Sequence, residues 1–256
     1  MKKIVLLCRE GEGSYIVYNS LSENFHIEKV IIEGGVPKKE FLKRRLKREG
    51  LFAVLGQLAF SGLIVPILRK TSADRKREIL NEYKASTSSE AMLASKPIYV
   101  KSVNDEDCIN ALREIQPDIV VVNGTRIISS EVLECVDAKF INMHAGITPK
   151  YRGCHGAYWA LYNQDRENAG VTVHVVDKGI DTGAIIYQSV IPISAKDNFT
   201  TYPILQTCLG VRDEVCAIND IIADNIVYKK NDLPTGLYTH PTIFQYLWKR
   251  ITSKVK

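Results

Sequence analysis

The chain has 256 residues, of which 45% are hydrophobic and 25% charged, enough apolar material for one core of ordinary size and a small appendage. Its 34 Lys and Arg against 29 Asp and Glu give a net charge of +5, which suits an anionic ligand and is too mild to indicate nucleic-acid binding. Six cysteines are scattered without CxxC spacing and no secretory leader is recognisable. We therefore expect a cytoplasmic protein with reduced, unmetallated thiols.

The amino-terminal part predicts a strand, a helix and a second strand. Residues 3–8 and 29–32 are short apolar or β-branched runs, and residues 15–24 between them have helical spacing of apolar positions. Residues 37–95 then become basic and helix-favouring, with Ser72 as a candidate helix cap. This stretch is interpreted as a helical insertion into an α/β domain.

The α/β pattern returns after the insertion. Strands are predicted at residues 98–100, 118–123 and 139–144 and in two runs after residue 170, and helices at residues 105–115, 130–136 and 158–162 and in an aromatic tail. The order predicts an α/β fold with an open, doubly wound, mostly parallel sheet, in which ligands bind beyond the carboxyl ends of the strands. We expect a catalytic domain over residues 1–228 and a short carboxy-terminal tail or helix over residues 229–256.

Residues 51–68 contain no charged side chain, and Lys and Arg border them on both sides. Three readings are open: a packed or covering helical pair, peripheral contact with a membrane, or a membrane span. The polar and helix-breaking residues within the stretch, and basic flanks at both ends without inside–outside asymmetry, favour the first reading.

The segment FINMHAGITPKYRG, residues 140–153, begins as a strand and breaks into a loop. Asn142 and His144 are two residues apart, so they project to the same side at the strand end. Some thirty residues later VTVHVVDKGIDTGAII predicts strand, turn and strand, with Asp181 in the bend. An amide donor for an oxyanion, a titratable imidazole and a carboxylate that orients it suit acyl transfer to an amine.

These two segments resemble the signature of the formyltransferase family, which includes glycinamide ribonucleotide transformylase, methionyl-tRNA formyltransferase and sugar-nucleotide N-formyltransferases. The resemblance covers residues 118–190 closely and implies a Rossmann-like formyltransferase fold, 10-formyltetrahydrofolate as the donor and no metal. It implies Asn142, His144 and Asp181 as the catalytic residues. It also implies that two loops bind the folate, through Arg126, Ile127 and Ile128 in one and through Val176, Asp177, Gly179 and Asp181 in the other. Residues 145–148 depart from the pattern of many relatives, which leaves the fit of the acceptor open.

Other polar residues have weaker signals. Gly11, Gly13 and Ser14 follow the first strand and resemble the phosphate loop of glycinamide ribonucleotide transformylase, although a simple tight turn has the same pattern. His155 and Tyr158 lie near the expected acceptor side and either contact substrate or pack the start of a helix. His174 is interpreted as a hydrogen-bonded structural residue. His26 and His240 have no metal-ligand spacing with other residues.

The resemblance leaves the acceptor open. A tRNA is disfavoured, since about 28 residues follow Tyr228 and methionyl-tRNA formyltransferases carry a further β-barrel domain. The first choice is an amino sugar linked to a nucleoside diphosphate, as in O-antigen and lipopolysaccharide biosynthesis. Glycinamide ribonucleotide, a non-catalytic folate- or nucleotide-sugar-binding role, and hydrolysis of formyl-folate are the alternatives. Small molecules rather than nucleic acid are expected as partners, and a homodimer is left open.

Overall fold

The computed structural model describes residues 2–256, apart from the side chain of Lys38. Seven strands form the main sheet: β1 (Ile4–Arg9), β2 (Ile27–Glu33), β3 (Ile98–Val100), β4 (Ile119–Asn123), β5 (Lys139–His144), β7 (Gly170–Val175) and β8 (Ile185–Val190). Their order across the sheet is β3-β2-β1-β4-β5-β7-β8. Neighbours from β3 to β5 pair in parallel, and β7 is antiparallel to both β5 and β8. The predicted α/β fold with a doubly wound, mostly parallel sheet is confirmed.

Helices cover both faces of the sheet. They are α1 (Glu12–Ser22), α7 (Glu106–Ile115), α8 (Ser130–Leu133), α9 (Gly156–Tyr162), α10 (Tyr202–Ile222) and α11 (Ile243–Thr252), and a second small sheet pairs β6 (Arg152–Gly153) with β9 (Leu237–Tyr238). Strands β1 and β4 are buried on both faces because each separates two apolar clusters. In such a sheet the crevice between β1 and β4, where the strand order reverses, is the expected ligand site.

Helix α10 is the longest element of the fold, and no element is predicted there from the sequence. It packs on β7 and β8, and Gly210 allows the helix to approach the sheet closely, since an added Cβ would lie 2.3 Å from the Met143 sulfur. Glu214 and Gln206 are buried on the same helix. Polar residues on its buried side obscure the apolar periodicity that predicts a helix.

Between β2 and β3 the chain is helical: α2 (Lys38–Glu49), α3 (Leu51–Ala59), a π-helical turn (Phe60–Ile64), α4 (Val65–Thr71), α5 (Ala73–Tyr83) and α6 (Glu90–Ala94). An ion pair between half-buried Arg75 and buried Asp197 fastens this region to the segment before α10, with Arg75 Nε 2.8 Å from Asp197 Oδ1. Ser72 is the N-cap residue of α5, as predicted, but its side chain makes no capping hydrogen bond. The Ser72 hydroxyl bonds the carbonyl of Leu68 in the preceding turn and so is not available to the first amides of α5.

A third, aromatic cluster joins the helical region to the rest of the protein. Phe60 lies 4.9 Å between ring centroids from both Phe199 and Tyr246, and Tyr158 lies 5.2 Å from Phe199. Residues of the π-helical turn, α4, α5, α9, α10 and α11 therefore share one core cluster. The aromatic tail helix predicted from the sequence is α11, which Thr242 and Gln245 start with a capping box.

Candidate active site

Asn142 and His144 lie at the carboxyl end of β5, on the same face of the strand. β7 runs antiparallel beside them, with Asn142 opposite His174 and His144 opposite Thr172. Both cross-strand partners are polar residues that form hydrogen bonds near the site. Asn142 Nδ2 lies 3.1 Å from His174 Nε2, and the Thr172 hydroxyl donates to the Gly146 carbonyl at 2.8 Å.

His174 orients the amide of Asn142. Its Nδ1 lies 2.8 Å from the carbonyl of Val175 and donates to it, so Nε2 is left to accept from the Asn142 amide. Burial lowers the pKa of His174, chiefly by desolvation of the charged ring, which keeps this neutral tautomer. Sequence reasoning predicted a structural histidine and missed its partner, since nothing in one sequence gives the register of β5 against β7.

Asp181 reaches His144 from the turn between β7 and β8. Its Oδ2 is 3.3 Å from His144 Nδ1 and accepts a hydrogen bond from the Gly153 amide at 3.1 Å. The residue has a left-handed backbone, with φ at 51°, a conformation that Asp tolerates better than most residues. Gly183 closes the turn, because a Cβ there would lie 1.6 Å from the Val175 carbonyl oxygen.

The other ring nitrogen of His144 faces the backbone. Nε2 lies 2.8 Å from the carbonyl oxygen of Tyr151, and the ring is buried, with 6% exposed. The contact requires glycine at position 146, since a Cβ there would lie 2.1 Å from the same carbonyl oxygen. Both ring nitrogens therefore face oxygen atoms, and the Tyr151 carbonyl and the Asp181 carboxylate together fix the orientation of the ring.

The first predicted folate loop follows β4 at the expected crevice. Buried Glu33, at the end of β2, accepts hydrogen bonds at 3.0 Å from the amides of Val103 and Arg126, and its carboxylate pairs with the Arg126 guanidinium. One carboxylate thus fixes two loops at the carboxyl edge of the sheet. Ile127 is exposed and Ile128 is buried, so the side chain that a ligand could contact here is that of Ile127.

The second predicted folate loop, residues 176–181, is shaped by Asp177. Its carboxylate accepts from the Gly179 amide at 3.0 Å and from the Thr182 hydroxyl at 2.7 Å. The Val176 amide bonds the Phe140 carbonyl, which ties the loop to the start of β5. These hydrogen bonds hold the loop in place around Asp181. That these two loops bind the folate stays a prediction.

The loop from Gly11 to Ser14 begins α1 at the other side of the crevice. The Ser14 hydroxyl donates to the Arg9 carbonyl at 2.6 Å and accepts from Asn123 at 2.9 Å, so its side chain is fully engaged. Glu12 lies in the first turn of α1, paired with Lys76 of α5. A carboxylate at this helix start competes with a phosphate for the positive end of the helix. A role for Gly11, Gly13 and Ser14 in binding phosphate stays a prediction.

Tyr158, a candidate for contact with the acceptor, is instead a core residue. It is 1% exposed because the rings of Phe199, Trp159 and Tyr246 surround it. His155, the other candidate, packs its ring 4.5 Å from Phe199. Burial lowers the pKa of His155 to about 3, so its ring is neutral.

The fold and the site define an α/β protein of Rossmann-like topology with an Asn, His and Asp cluster suited to acyl transfer. A family model described as "Formyl transferase" matches residues 62–203, more than half of the chain. The protein belongs to the formyl transferase family.

Curated relatives match over shorter segments. The methionyl-tRNA formyltransferase of Kosmotoga olearia is 39% identical over 102 residues, 40% of this chain and 32% of its own length. That of Azobacteroides pseudotrichonymphae is 34% identical over 163 residues, 60% of this chain and half of its own length. The chain thus spans a third to a half of these relatives.

Solved structures share the fold over nearly the whole chain. A sugar N-formyltransferase from Shewanella superposes with a TM-score of 0.57 at 16% identity, over 92% of this chain and 76% of its own. An N-formyltransferase from Helicobacter canadensis, in complex with folinic acid and dTDP-3-aminofucose, gives 0.57 at 18% identity, over 93% and 71%. Phosphoribosylglycinamide formyltransferase from Anaplasma phagocytophilum gives 0.57 at 16%, over 93% and 100%.

Proposed function

We propose that the protein transfers a formyl group from 10-formyltetrahydrofolate to a primary amine. The observation that carries the proposal is the connected cluster at the end of β5: Asp181 lies 3.3 Å from His144, and His174 holds Asn142 at 3.1 Å. The cluster lies at the carboxyl edge of the sheet in a family that transfers formyl groups. Folinic acid, a formylated folate, is bound in the Helicobacter canadensis structure.

The geometry suggests how the groups share the chemistry. Attack of the amine on the formyl carbon creates an oxyanion, which the Asn142 amide stabilises. The new C–N bond forms while the bond from the formyl carbon to N10 of the folate breaks. The amine's proton passes through the His144–Asp181 pair to N10. His144 can accept this proton only after one of its two ring contacts opens, because both nitrogens face acceptors.

For the acceptor, we propose an amino sugar linked to a nucleoside diphosphate. Burial raises the pKa of the Cys154 thiol, and the positive charges of Arg48 and Arg45 of α2 partly offset that rise. Cys154 directly follows Gly153, whose amide donates a hydrogen bond to Asp181. Nη2 of Arg45 is buried and has no hydrogen-bond partner among residues 2–256. Positive charge beside the catalytic loop suits a diphosphate. The acceptor named with the Helicobacter canadensis protein, dTDP-3-aminofucose, belongs to this class.

Glycinamide ribonucleotide is the second candidate, because the alignment with phosphoribosylglycinamide formyltransferase from Anaplasma phagocytophilum covers the whole length of that enzyme. Two features weigh against it. Ser14 is engaged by Arg9 and Asn123, and Glu10 and Glu12 place two carboxylates around the start of α1. A ribonucleotide phosphate there would meet like charge.

The test is release of tetrahydrofolate from 10-formyltetrahydrofolate with a panel of acceptors: nucleoside-diphosphate amino sugars, glycinamide ribonucleotide, initiator methionyl-tRNA, and no amine. Asn142→Ala should lower kcat roughly 100- to 1,000-fold, as for loss of an oxyanion donor, and His144→Ala should lower it at least as much. His26→Ala and Asn225→Ala, at exposed positions, are the matched controls and should leave kcat unchanged.

Each outcome separates two hypotheses. Turnover with one sugar nucleotide, lost in both site variants, supports the donor, the site and the acceptor class together. Turnover with glycinamide ribonucleotide alone rejects the sugar and keeps formyl transfer, and turnover without amine indicates a hydrolase. If no acceptor is formylated while a folate analogue still binds, as measured by calorimetry, the proposed activity is wrong and a folate-binding role remains.

A further inference from the structure

We propose that the protein docks on an anionic membrane surface through an apolar face formed by two helical segments. The first segment is the helix from α3 through the π-helical turn to α4, and the second is α11. The proposal does not depend on which amine is formylated. The protein would bind the membrane peripherally, in the headgroup region, and its catalytic domain would remain in water.

The first segment exposes a row of large apolar side chains. Phe52 is 88% exposed, and the row contains Leu51, Phe52, Leu55, Leu58, Leu63 and Ile67. Apolar residues of this size rarely stand exposed in a continuous row on a soluble protein. Leu51–Thr71 is long and apolar enough to cross a membrane, yet 28% of its most apolar window is buried within the protein.

The π-helical turn keeps this row on one face. At about 100° per residue, an uninterrupted α-helix would place Ile67 about 160° around the axis from Leu51. The turn at Phe60–Ile64 adds one residue to the helix, which rotates the later positions back by about 100°. Ile67 then lies about 60° from Leu51, between Leu55 and Phe52 in angle, and the exposed face stays continuous into α4.

Helix α11 adds a second row beside the first. Phe244, Leu247, Trp248 and Ile251 are exposed at spacings of three and four residues, one stripe of a helix. The two rows meet at Gly56, where an added Cβ would lie 3.0 Å from Thr242 and 3.9 Å from the Phe244 ring. Trp248, 64% exposed, and Ile251, 80% exposed, extend the face beyond α3. Aromatic residues of this kind are typical of the membrane interface.

The positive charge of the two segments indicates that the apolar face binds an anionic membrane surface. Residues 38–71 and 243–256 contain thirteen Lys and Arg but two Glu, Glu40 and Glu49. The whole chain carries +5, so the rest of the protein is net acidic. Juxtamembrane basic clusters bind anionic lipid headgroups. A second copy of this chain would bring the same positive surface against itself, which disfavours a homodimer through this face.

The inner side of the first segment packs on the protein, which favours a helix that lies on a membrane over one that crosses it. Phe60 is fully buried between Phe199 and Tyr246. Gln57 donates to the His240 carbonyl at 2.6 Å and accepts from Arg45 at 2.7 Å. Insertion across a bilayer would remove both from their partners. An amphipathic helix that keeps its inner face on the protein is the interfacial case.

The test is co-sedimentation of the full chain with phosphatidylcholine vesicles, with and without roughly 30 mol% phosphatidylglycerol as the anionic lipid. We expect binding to the anionic vesicles at least tenfold stronger than to neutral ones. Raising the salt from about 0.1 M to about 1 M, which shortens the Debye length from roughly 10 to 3 Å, should weaken it. The variants F52Q/L55Q/L58Q and F244Q/W248Q/I251Q should each bind at least tenfold more weakly.

The matched control is V190Q/I222Q/V227Q, at exposed apolar positions outside the two rows, and it should bind as the wild type does. All variants are first checked for an unchanged circular dichroism spectrum. Absence of binding to anionic vesicles, or unchanged binding of both triple variants, overturns the proposal. So does a lipid-free dimer in analytical ultracentrifugation that the triple variants convert to monomer, since the face would then join two copies. Extraction from membranes by detergent alone and not by high salt would indicate a span.

Discussion

Glu214 lies on the buried side of α10 with nothing to balance its charge. It is fully buried, and neither carboxylate oxygen has a hydrogen-bond partner within residues 2–256. Burial raises its pKa from 4.5 to about 8, because the ionised form loses its hydration without gaining a partner. The folded protein therefore holds this carboxyl neutral at pH 7, whereas the unfolded chain exposes it as a carboxylate.

The raised pKa makes stability fall as the pH rises. Below pH 4.5 the group is protonated in both states and has no effect. Between pH 4.5 and about 8, folding takes up a proton, and each pH unit costs about 1.4 kcal/mol. The cost reaches a ceiling of about 5 kcal/mol above pH 8, a large fraction of the roughly 5–15 kcal/mol that stabilises a domain.

Glu214→Gln removes the ionisation and nearly keeps the shape, so packing effects are the same at every pH. Relative to the wild type, the variant's free energy of unfolding should rise by about 3 kcal/mol between pH 5 and pH 7.5. Urea unfolding of both proteins at each pH measures this difference. Glu114→Gln, at an exposed position on α7, is the matched control. A difference between Glu214→Gln and wild type that stays constant over this range refutes the reasoning.

Three further predictions concern the site. Gly146→Ala places a methyl group 2.8 Å from His144 Nε2 and should lower kcat roughly 100-fold in steady-state assays with an unchanged circular dichroism spectrum; wild-type kcat would contradict the assigned ring contact. His174→Leu frees the Asn142 amide and should lower kcat roughly 100-fold at constant KM, whereas His174→Gln, which keeps an acceptor, should retain more activity; equal losses would contradict the positioning role. Glu33→Gln weakens the hydrogen bonds that hold the loops at Val103 and Arg126 and should raise KM for the folate about tenfold in steady-state assays. An unchanged KM would contradict folate binding at the Arg126 loop.

Much of the site could be predicted because its chemistry lies in two short segments. Asn142 and His144 share a face through the period-two geometry of a strand, and the bend with Asp181 carries its own turn residues. Strands β1 and β4 could also be predicted from the sequence, because a strand that is buried on both faces is apolar at nearly every position. The structure brings the predicted catalytic residues together, and their roles await the proposed assays.

Other features could not be predicted from the sequence. His174 and Tyr151 gain their roles from contacts with Asn142 and His144, and these follow from strand register and loop closure. Tyr158 is of a residue type that often contacts ligands, but it lies in a core formed jointly by α9, α10 and α11. The exposed face of residues 51–68 is half of a larger surface, since α11 is nearly 200 residues away in sequence.

The sequence by itself determined the local elements, the family signature and the residue types available for chemistry, because periodicity, turn residues and side-chain reactivity are local properties. The tertiary structure decided which side chains meet, which are buried and which remain exposed. Those outcomes depend on contacts between distant segments: the pairing of β5 with β7, the docking of α10 on the sheet and the packing of α11 against α3. A one-residue shift in the pairing of β5 with β7 alone would exchange the buried and exposed positions of the strand.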